Sequence, residues 1–573
     1  MTGTASTRDL LVTGGTLVDG TGAPARRADV RIRHGVVAEI GATGERLAPD
    51  GERVVDAGGA FVTPGFIDAH THYDPSMWWD PLVDPMPQHG VTTIVTGNCS
   101  LSLSPVRAGD RVAASDVFSF IEDIPVDAFA TGIPWEWETY GDWSRALAAH
   151  GTAVHVAALV GHSNLRVYVM GDDAWERAAT DDERARLAGV LAESLAAGAL
   201  GLSTSFIDVD RHGRAVPSRA ADEAELDALV EVLAAAPGGP GLLEFLPWIK
   251  EPERWRANIE QVARLCGPRN VPCTWNQLAQ NSRDPERAAL IVEQAHRLHA
   301  DGARVWAQVS PRPFDLNVSF AATPAFVAIA AWNELVQQSD DDKRRTLVDD
   351  AWRARARADW DAIGDGFTIF PVSRIDRVRL TQVRAGEERF EGATLADVVA
   401  ARGGHPSDVL ADWVLEHDLT PGVRAEALSN NDAARLSELI TDPTTVVGAS
   451  DAGAHLQMMC GAGDTTLLLT AHVRDRTDLT IEQAVHQLTG HIADAFGIPG
   501  RGTLVPGAAG DVTVFALDEL DYGADFWVHD LPGGAPRLSR PAGGYRVTAA
   551  AGVVTQEGGV ATGARPAGPL VRQ

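Results

Sequence analysis

Two hydrophobic periods divide the chain. From Asp9 to Ile40, short apolar runs (Leu10–Val12, Thr16–Val18, Val30–Ile32, Val36–Ile40) alternate with polar positions and are separated by Gly14–Gly15 and Gly20. That pattern predicts short strands and turns, as in a small β-sandwich. From about Phe61 the pattern changes. Apolar strand segments are predicted at Val62–Ile67, Thr93–Val95, Ala153–Leu159, Ala199–Ser203, Leu242–Leu246, Val271–Trp275, Arg304–Val309 and Thr445–Ala449. Amphipathic helical stretches fall between them, at Asp181–Ala197, Glu223–Ala236, Arg254–Cys266 and Pro285–Ala300. Strands alternating with helices in this number predict an α/β fold, a (β/α)8 TIM barrel whose active site gathers at the strand ends. After a helix near Gln483 the alternating β pattern returns at Asp511–Phe515, so the C-terminal segment is expected to rejoin the N-terminal strands. The expected divisions are residues 1–63 and 483–573 for the β-sandwich with its helix, and 64–482 for the barrel. Insertions near 104–143 and 314–373 exceed usual βα loop lengths and could be lids or a homo-oligomer surface. The Gly/Pro-rich end, Ala561–Gln573, is expected to be mobile.

Charge narrows the partners. The formal net charge is −29, which repels phosphate backbones and anionic headgroups, so neither nucleic acid nor a membrane surface is expected. Four cysteines, widely spaced and without a CxxC pair, suggest a reducing compartment. Met1–Asp9 is polar and no apolar run is long enough to span a bilayer, so the expectation is a cytoplasmic protein.

Three motifs carry chemistry. In Pro64–Gly65–Phe66–Ile67–Asp68–Ala69–His70–Thr71–His72, the two histidines lie two apart at the end of an apolar strand. Period 2 puts both imidazoles on one face, where they can bind one divalent cation; the bland alternative is a hydrogen-bonded pair in the core. In Val446–His455, Asp451 follows a short apolar strand, the eighth of the barrel. A carboxylate there can ligate a metal and act as general base toward metal-activated water, or it can simply cap a helix. In His89–Ser100, Cys99 closes another apolar strand and is either a zinc ligand or a small buried hydrophobe. Further candidates are weaker. His162 and Arg166 follow a strand end and either face a pocket or anchor a loop. Arg312 either pairs with a substrate carboxylate or is a solvated loop arginine. His455 could polarise a scissile carbonyl or support the site from behind. Met77, Trp78 and Trp79 suggest an apolar pocket wall or core.

On Gly65–Asp74 (GFIDAHTHYD), His89–Ser100 (HGVTTIVTGNCS), Gly161–Arg166, Gly198–Ser205, Ser450–His455 and the RGTLVPGAAGDVTVF tail, the sequence resembles the amidohydrolase superfamily, and within it the N-acyl-D-amino-acid deacylases. The resemblance runs from about residue 9 to 515. It implies a TIM barrel with a flanking β-sandwich and zinc-dependent amide hydrolysis. It also implies His70 and His72 as metal ligands, Cys99 as a zinc ligand in place of a carboxylated lysine, and Asp451 as ligand and general base. The only lysines, Lys250 and Lys343, are poorly placed for a carbamate. The chain departs from that branch where histidines are usual after strands five and six. Here those stretches read Gly241–Pro247 and Pro272–Leu278 and hold no histidine. Nor does Ala307–Phe314 hold the family's tyrosine. Three explanations compete: one zinc held by His70, His72, Asp451 and Cys99, which is favoured; a replacement oxygen ligand from Glu244; or a degraded site. The functional expectation is a metal-dependent hydrolase of a carbon–nitrogen bond in a small-molecule amide, such as an N-acyl-D-amino acid. The alternatives are a cyclic amide, lactone or carbamate hydrolase, and a non-catalytic binding protein.

Overall fold

A computed structural model of the protein describes residues 8–318, 320, 323–364 and 370–571. Most of the polar N-terminal stretch read above (residues 1–7) and the final two residues lie outside the described residues. At the centre are eight parallel strands: β1 (Phe66–Asp68), β2 (Val91–Thr96), β3 (His155–Gly161), β4 (Gly201–Ser205), β5 (Leu242–Leu246), β6 (Cys273–Trp275), β7 (Val305–Val309) and β8 (Thr445–Val447). They hydrogen-bond in sequence order within one sheet. Beyond the strand ends, Thr71 bridges Ala452 in parallel, and the His72 N–H donates to the Ala452 carbonyl at 2.9 Å. The sheet thus curls so that its first and last strands meet, as in a TIM-like barrel. Every residue of β2 and β3 is buried, as expected for parallel strands covered on both faces.

The predicted strand Val62–Ile67 is two strands. Phe61–Pro64 pairs with Val512–Phe515 and with Thr16–Leu17, outside the barrel. The chain then breaks and restarts as β1. Pro64 has no N–H to continue a ladder, and Gly65 sits where a Cβ would come within 2.1 Å of Thr92 Oγ1. Through Phe61–Pro64 the N- and C-terminal segments share one seven-stranded sheet. A four-stranded sheet, ordered Val36–Ile40, Val30–Arg33, Leu10–Thr13 and Arg53–Asp56, shares its apolar core, which includes Leu10, Val30, Val62, Val512 and Val547. The expected mobility of the C-terminal end is corrected as far as Leu570. Ala567 exchanges hydrogen bonds with Thr152, and Val156 pairs with Gly568 and Leu570 beside the start of β3.

Helices fill the crossovers where the apolar periodicity placed them. Asp181–Ala196 starts on a Thr180–Glu183 capping box, Glu223–Ala234 on an Asp222 cap, and Pro252–Cys266 and Pro285–Ala300 on a first-turn proline. The β2–β3 connection carries helices Arg111–Ile121, Val126–Gly132 and Tyr140–His150. It is pinned to the chain after β1 by stacking of Trp137 on Trp78 at 4.4 Å. The β7–β8 connection has a core of its own, built on Phe326, Trp332, Trp352, Trp360 and Trp413, and reaching to Val423. Met458 and Met459, a few residues past Asp451, insert into that core. This ties the connection to the loop that follows β8. Among the described residues no helix is long and apolar enough to cross a membrane.

Candidate metal centre

The ends of β1, β2 and β8 converge on one buried point. His70 and His72 are almost wholly buried and Cys99 nearly so. One ligand-capable atom from each lies within 4.8 Å of the others. The Asp451 carboxylate is not one of this mutually close trio but lies against it, with Oδ1 3.3 Å from His70 Nε2. Gly97, at the end of β2, allows this approach. Its φ is +78°, and a Cβ there would lie 2.2 Å from the Leu159 carbonyl oxygen on β3. The following turn, with Cys99 and Ser100 both at positive φ, swings the thiol inward. Across the closure, Ser450 Oγ shares its one proton between Asp68 Oδ1, 2.8 Å away, and the His70 carbonyl, 2.9 Å away, tying β8 to β1.

The protonation pattern of His70 follows from its neighbours. Gln308 Oε1 on β7 accepts the Ala449 N–H at 3.1 Å, so it is also an acceptor toward His70 Nδ1, 2.9 Å away. The ring proton therefore sits on Nδ1, and the Nε2 lone pair faces Cys99 Sγ at 3.5 Å and Asp451. Burial holds both His70 and His72 below the usual histidine range. They are neutral and ligand-competent. Burial, reinforced by Glu244 and Glu122, pushes the Cys99 thiol well up, and a nearby cation reverses that preference.

The sequence-predicted oxygen ligand lies beside this group. Glu244 Oε2 accepts the Cys99 N–H at 2.9 Å, while Oε1 is buried without a hydrogen-bond partner. Asn276, just past β6, donates from Nδ2 to Cys99 Sγ at 3.4 Å, and its Oδ1 is likewise unpartnered. Burial drives Glu244 well above the usual carboxylate range and raises Asp68 and Asp74 to about 7. Unsatisfied buried acceptors around two neutral imidazoles and a thiol are costly with nothing bound. This donor set fits a divalent zinc-like ion.

Other candidates are placed differently. His162 and Arg166 both pair with buried Glu225: His162 Nε2 is 2.8 Å from Oε1, and Arg166 Nη1 contacts Oε2. His162 Nδ1 lies 2.9 Å from Thr204 Oγ1, and Arg166 also donates to the carbonyls of Ala174 and Arg177. Both side chains are fully engaged as anchors under the loops after β3. Arg312 is not a solvated loop arginine. It is buried, its Nε 3.1 Å from Asp464 Oδ1, and its Nη2 donates to the Ser450 carbonyl at 2.7 Å. It thereby braces the residue before Asp451. Met77 and Trp78 are core, whereas Trp79 lines a cavity of about 240 Å³ with Tyr73, Gly453, Met459, Cys460 and Arg537. The cavity shares the loops that follow His72 and Asp451, but none of His70, His72, Cys99 or Asp451 lines it.

Besides Asn276, two residues at this point were not singled out from sequence. Gln308 was signalled only as a polar side chain within the apolar strand β7. Glu122, in the β2–β3 connection, is buried with Oε1 3.4 Å from His72 Nδ1 and Oε2 3.7 Å from His455 Nε2. His455 Nδ1 has no hydrogen-bond partner. An acidic pair, Glu122–Asp123, inside the apolar run Phe118–Ile124 was the one local sign.

The amidohydrolase family profile matches residues 53–555. An N-acyl-D-aspartate deacylase of Alcaligenes xylosoxydans xylosoxydans is 30% identical over 518 residues, 88% of this chain and 85% of that protein. An uncharacterized protein of Mycobacterium tuberculosis is 31% identical over 544 residues, 91% of this chain and 86% of that protein. The solved N-acyl-D-glutamate deacylase of Bordetella bronchiseptica, in complex with zinc and a phosphonate inhibitor, is 25% identical with a TM-score of 0.64, covering 99% of this chain and all of that one. A solved D-aminoacylase shares the fold, with a TM-score of 0.67 at 24% identity and 99% of this chain covered. The chain belongs to the amidohydrolase family and is a hydrolase of carbon–nitrogen amide bonds.

Proposed function

We propose that the protein deacylates N-acyl-D-amino acids at a single zinc held by His70, His72, Cys99 and Asp451, with Asp451 as general base. The observation that carries this reading is the buried trio His70, His72 and Cys99 with Asp451 against it, in a chain 30% identical to an N-acyl-D-aspartate deacylase. When bound, the ion supplies Lewis acidity toward the scissile carbonyl and acidifies water. The chain's own groups do the rest. The Gln308 contact keeps the His70 proton on Nδ1. Asp451 takes a proton from the attacking water and returns it to the leaving nitrogen. Arg312, through the Ser450 carbonyl, and Ser450 Oγ, through Asp68 and the His70 carbonyl, hold the two strand ends at a fixed separation. His455, a quarter exposed, is assigned to polarise the substrate carbonyl. Glu244 is a neighbour that buttresses the Cys99 turn, the role its bond to the Cys99 N–H supports.

The test is a panel of N-acetyl-D- and N-acetyl-L-amino acids with acidic, basic and apolar side chains, beside cyclic imides and lactones, scored by release of free amine or acid. The expected result is amine release from D substrates well ahead of their L counterparts. Turnover confined to cyclic imides or lactones would overturn the substrate assignment while keeping the hydrolase.

A further inference from the structure

Glu122 has no part in the chemistry above, yet it is the group that the long β2–β3 connection delivers to the centre. It caps the C-terminal end of helix Arg111–Ile121, and its side chain is 2% exposed. Three contacts radiate from it. One carboxylate oxygen lies 3.4 Å from His72 Nδ1 and the other 3.7 Å from His455 Nε2. Its main-chain carbonyl accepts the His455 N–H at 2.5 Å. Among the ion pairs of the described residues its only partners are these two histidines. The charged groups that face it, Asp451, Asp208 and Asp74, are all acidic. A buried carboxylate in such company is destabilising unless it accepts hydrogen bonds and a cation stands nearby.

The arrangement around His72 resembles that around His70 but is looser. Gln308 Oε1 stands 2.9 Å from His70 Nδ1 in a hydrogen bond, whereas a Glu122 oxygen is the carboxylate beside His72 Nδ1 at 3.4 Å, and that buried nitrogen has no hydrogen bond in this structure. An acceptor at that position fixes the tautomer, leaves the other nitrogen bare and makes it a stronger donor to a metal. We propose that Glu122 is the positioning residue of the metal centre: it keeps the His72 proton on Nδ1 and, through its second oxygen and its carbonyl, sets the orientation of His455. The β2–β3 connection is then part of the catalytic apparatus, since it supplies a carboxylate that no barrel strand provides. The inference rests on the reading of His70, His72 and Cys99 as a metal centre.

The experiment compares wild type, Glu122→Gln and Glu122→Leu as metal-stripped full-length proteins. Zinc affinity is measured by competition with a chromophoric chelator, and thermal unfolding of the stripped proteins is followed in parallel. Glu122→Leu is expected to weaken zinc binding about 10- to 100-fold while the stripped protein unfolds no earlier than wild type, because an uncompensated buried carboxylate has been removed. Glu122→Gln keeps an acceptor oxygen and is expected to recover part of the loss. Zinc binding by Glu122→Leu as tight as wild type would overturn the inference. If that variant does not fold, undiminished affinity in Glu122→Gln does so instead. A wild type that binds no zinc would overturn the metal centre itself, which separates the two failures.

Discussion

Asp451→Asn is expected to lower kcat by about three orders of magnitude, within the range that a positioned general base contributes, and to leave the fold intact. Asparagine has the same shape but cannot accept and return a proton. The backbone at Asp451 has φ +52°, a left-handed conformation that asparagine adopts as readily as aspartate. The side chain is 15% exposed and, among the described residues, its one ion-pair partner is His70. It also raises the charging cost of the buried acids Asp68 and Glu122. Removing its charge should therefore leave the unfolding temperature of the metal-stripped protein unchanged or raise it. Steady-state kinetics on the best substrate of the panel, with thermal unfolding alongside, checks both halves. Full activity in a folded Asp451→Asn would rule out the base.

Glu225→Ala is expected to destabilise the protein by about 3–5 kcal/mol, because it strands a buried arginine and histidine without their partner. Arg166 and His162 are fully buried, and Glu225 is the only acid paired with either among the described residues. Burial alone would raise the Glu225 carboxyl. The hydrogen bonds and charges of His162 and Arg166 outweigh burial and hold it at about 2, against an ordinary value of 4.5. A carboxyl depressed in the folded state contributes stability that is fully present above its unfolded value. This contribution is therefore present above pH 4.5 and is lost as pH falls from there toward 2. Denaturant midpoints across that window should drop more steeply for wild type than for Glu225→Ala. Parallel curves would show that the pair carries no such linkage.

The parts of the site legible in sequence are those written locally. His70 and His72 share a face by period 2 at the end of an apolar strand; Asp451 and Cys99, just past β8 and β2, stay open locally between ligand and bland readings, and only the family resemblance singles them out. The barrel strands were legible locally, since burial on both faces leaves continuous apolar runs. The split at Pro64–Gly65 was hidden because both halves are apolar, and only pairing with Val512–Phe515 separates them. Long-range partners were illegible. His162 and Arg312 look like free polar groups until Glu225, 63 residues on from His162, and Asp464, 152 residues on from Arg312, are brought to them. Glu122 belongs to the same class: its connection has no periodic register with the barrel, so nothing local says that its carboxylate ends between two site histidines. The C-terminal end reads as mobile from its glycines and prolines, yet main-chain hydrogen bonds to Thr152 and Val156 need no particular side chain.

The most direct test of the account is metal content by elemental analysis of protein never exposed to chelator, with wild type beside the His70→Ala/His72→Ala double variant. The account predicts about one zinc per chain in wild type, as a catalytic site with three or four protein ligands requires, and loss of that zinc in the double variant. Wild-type protein without metal, or a double variant that keeps its zinc, would contradict it.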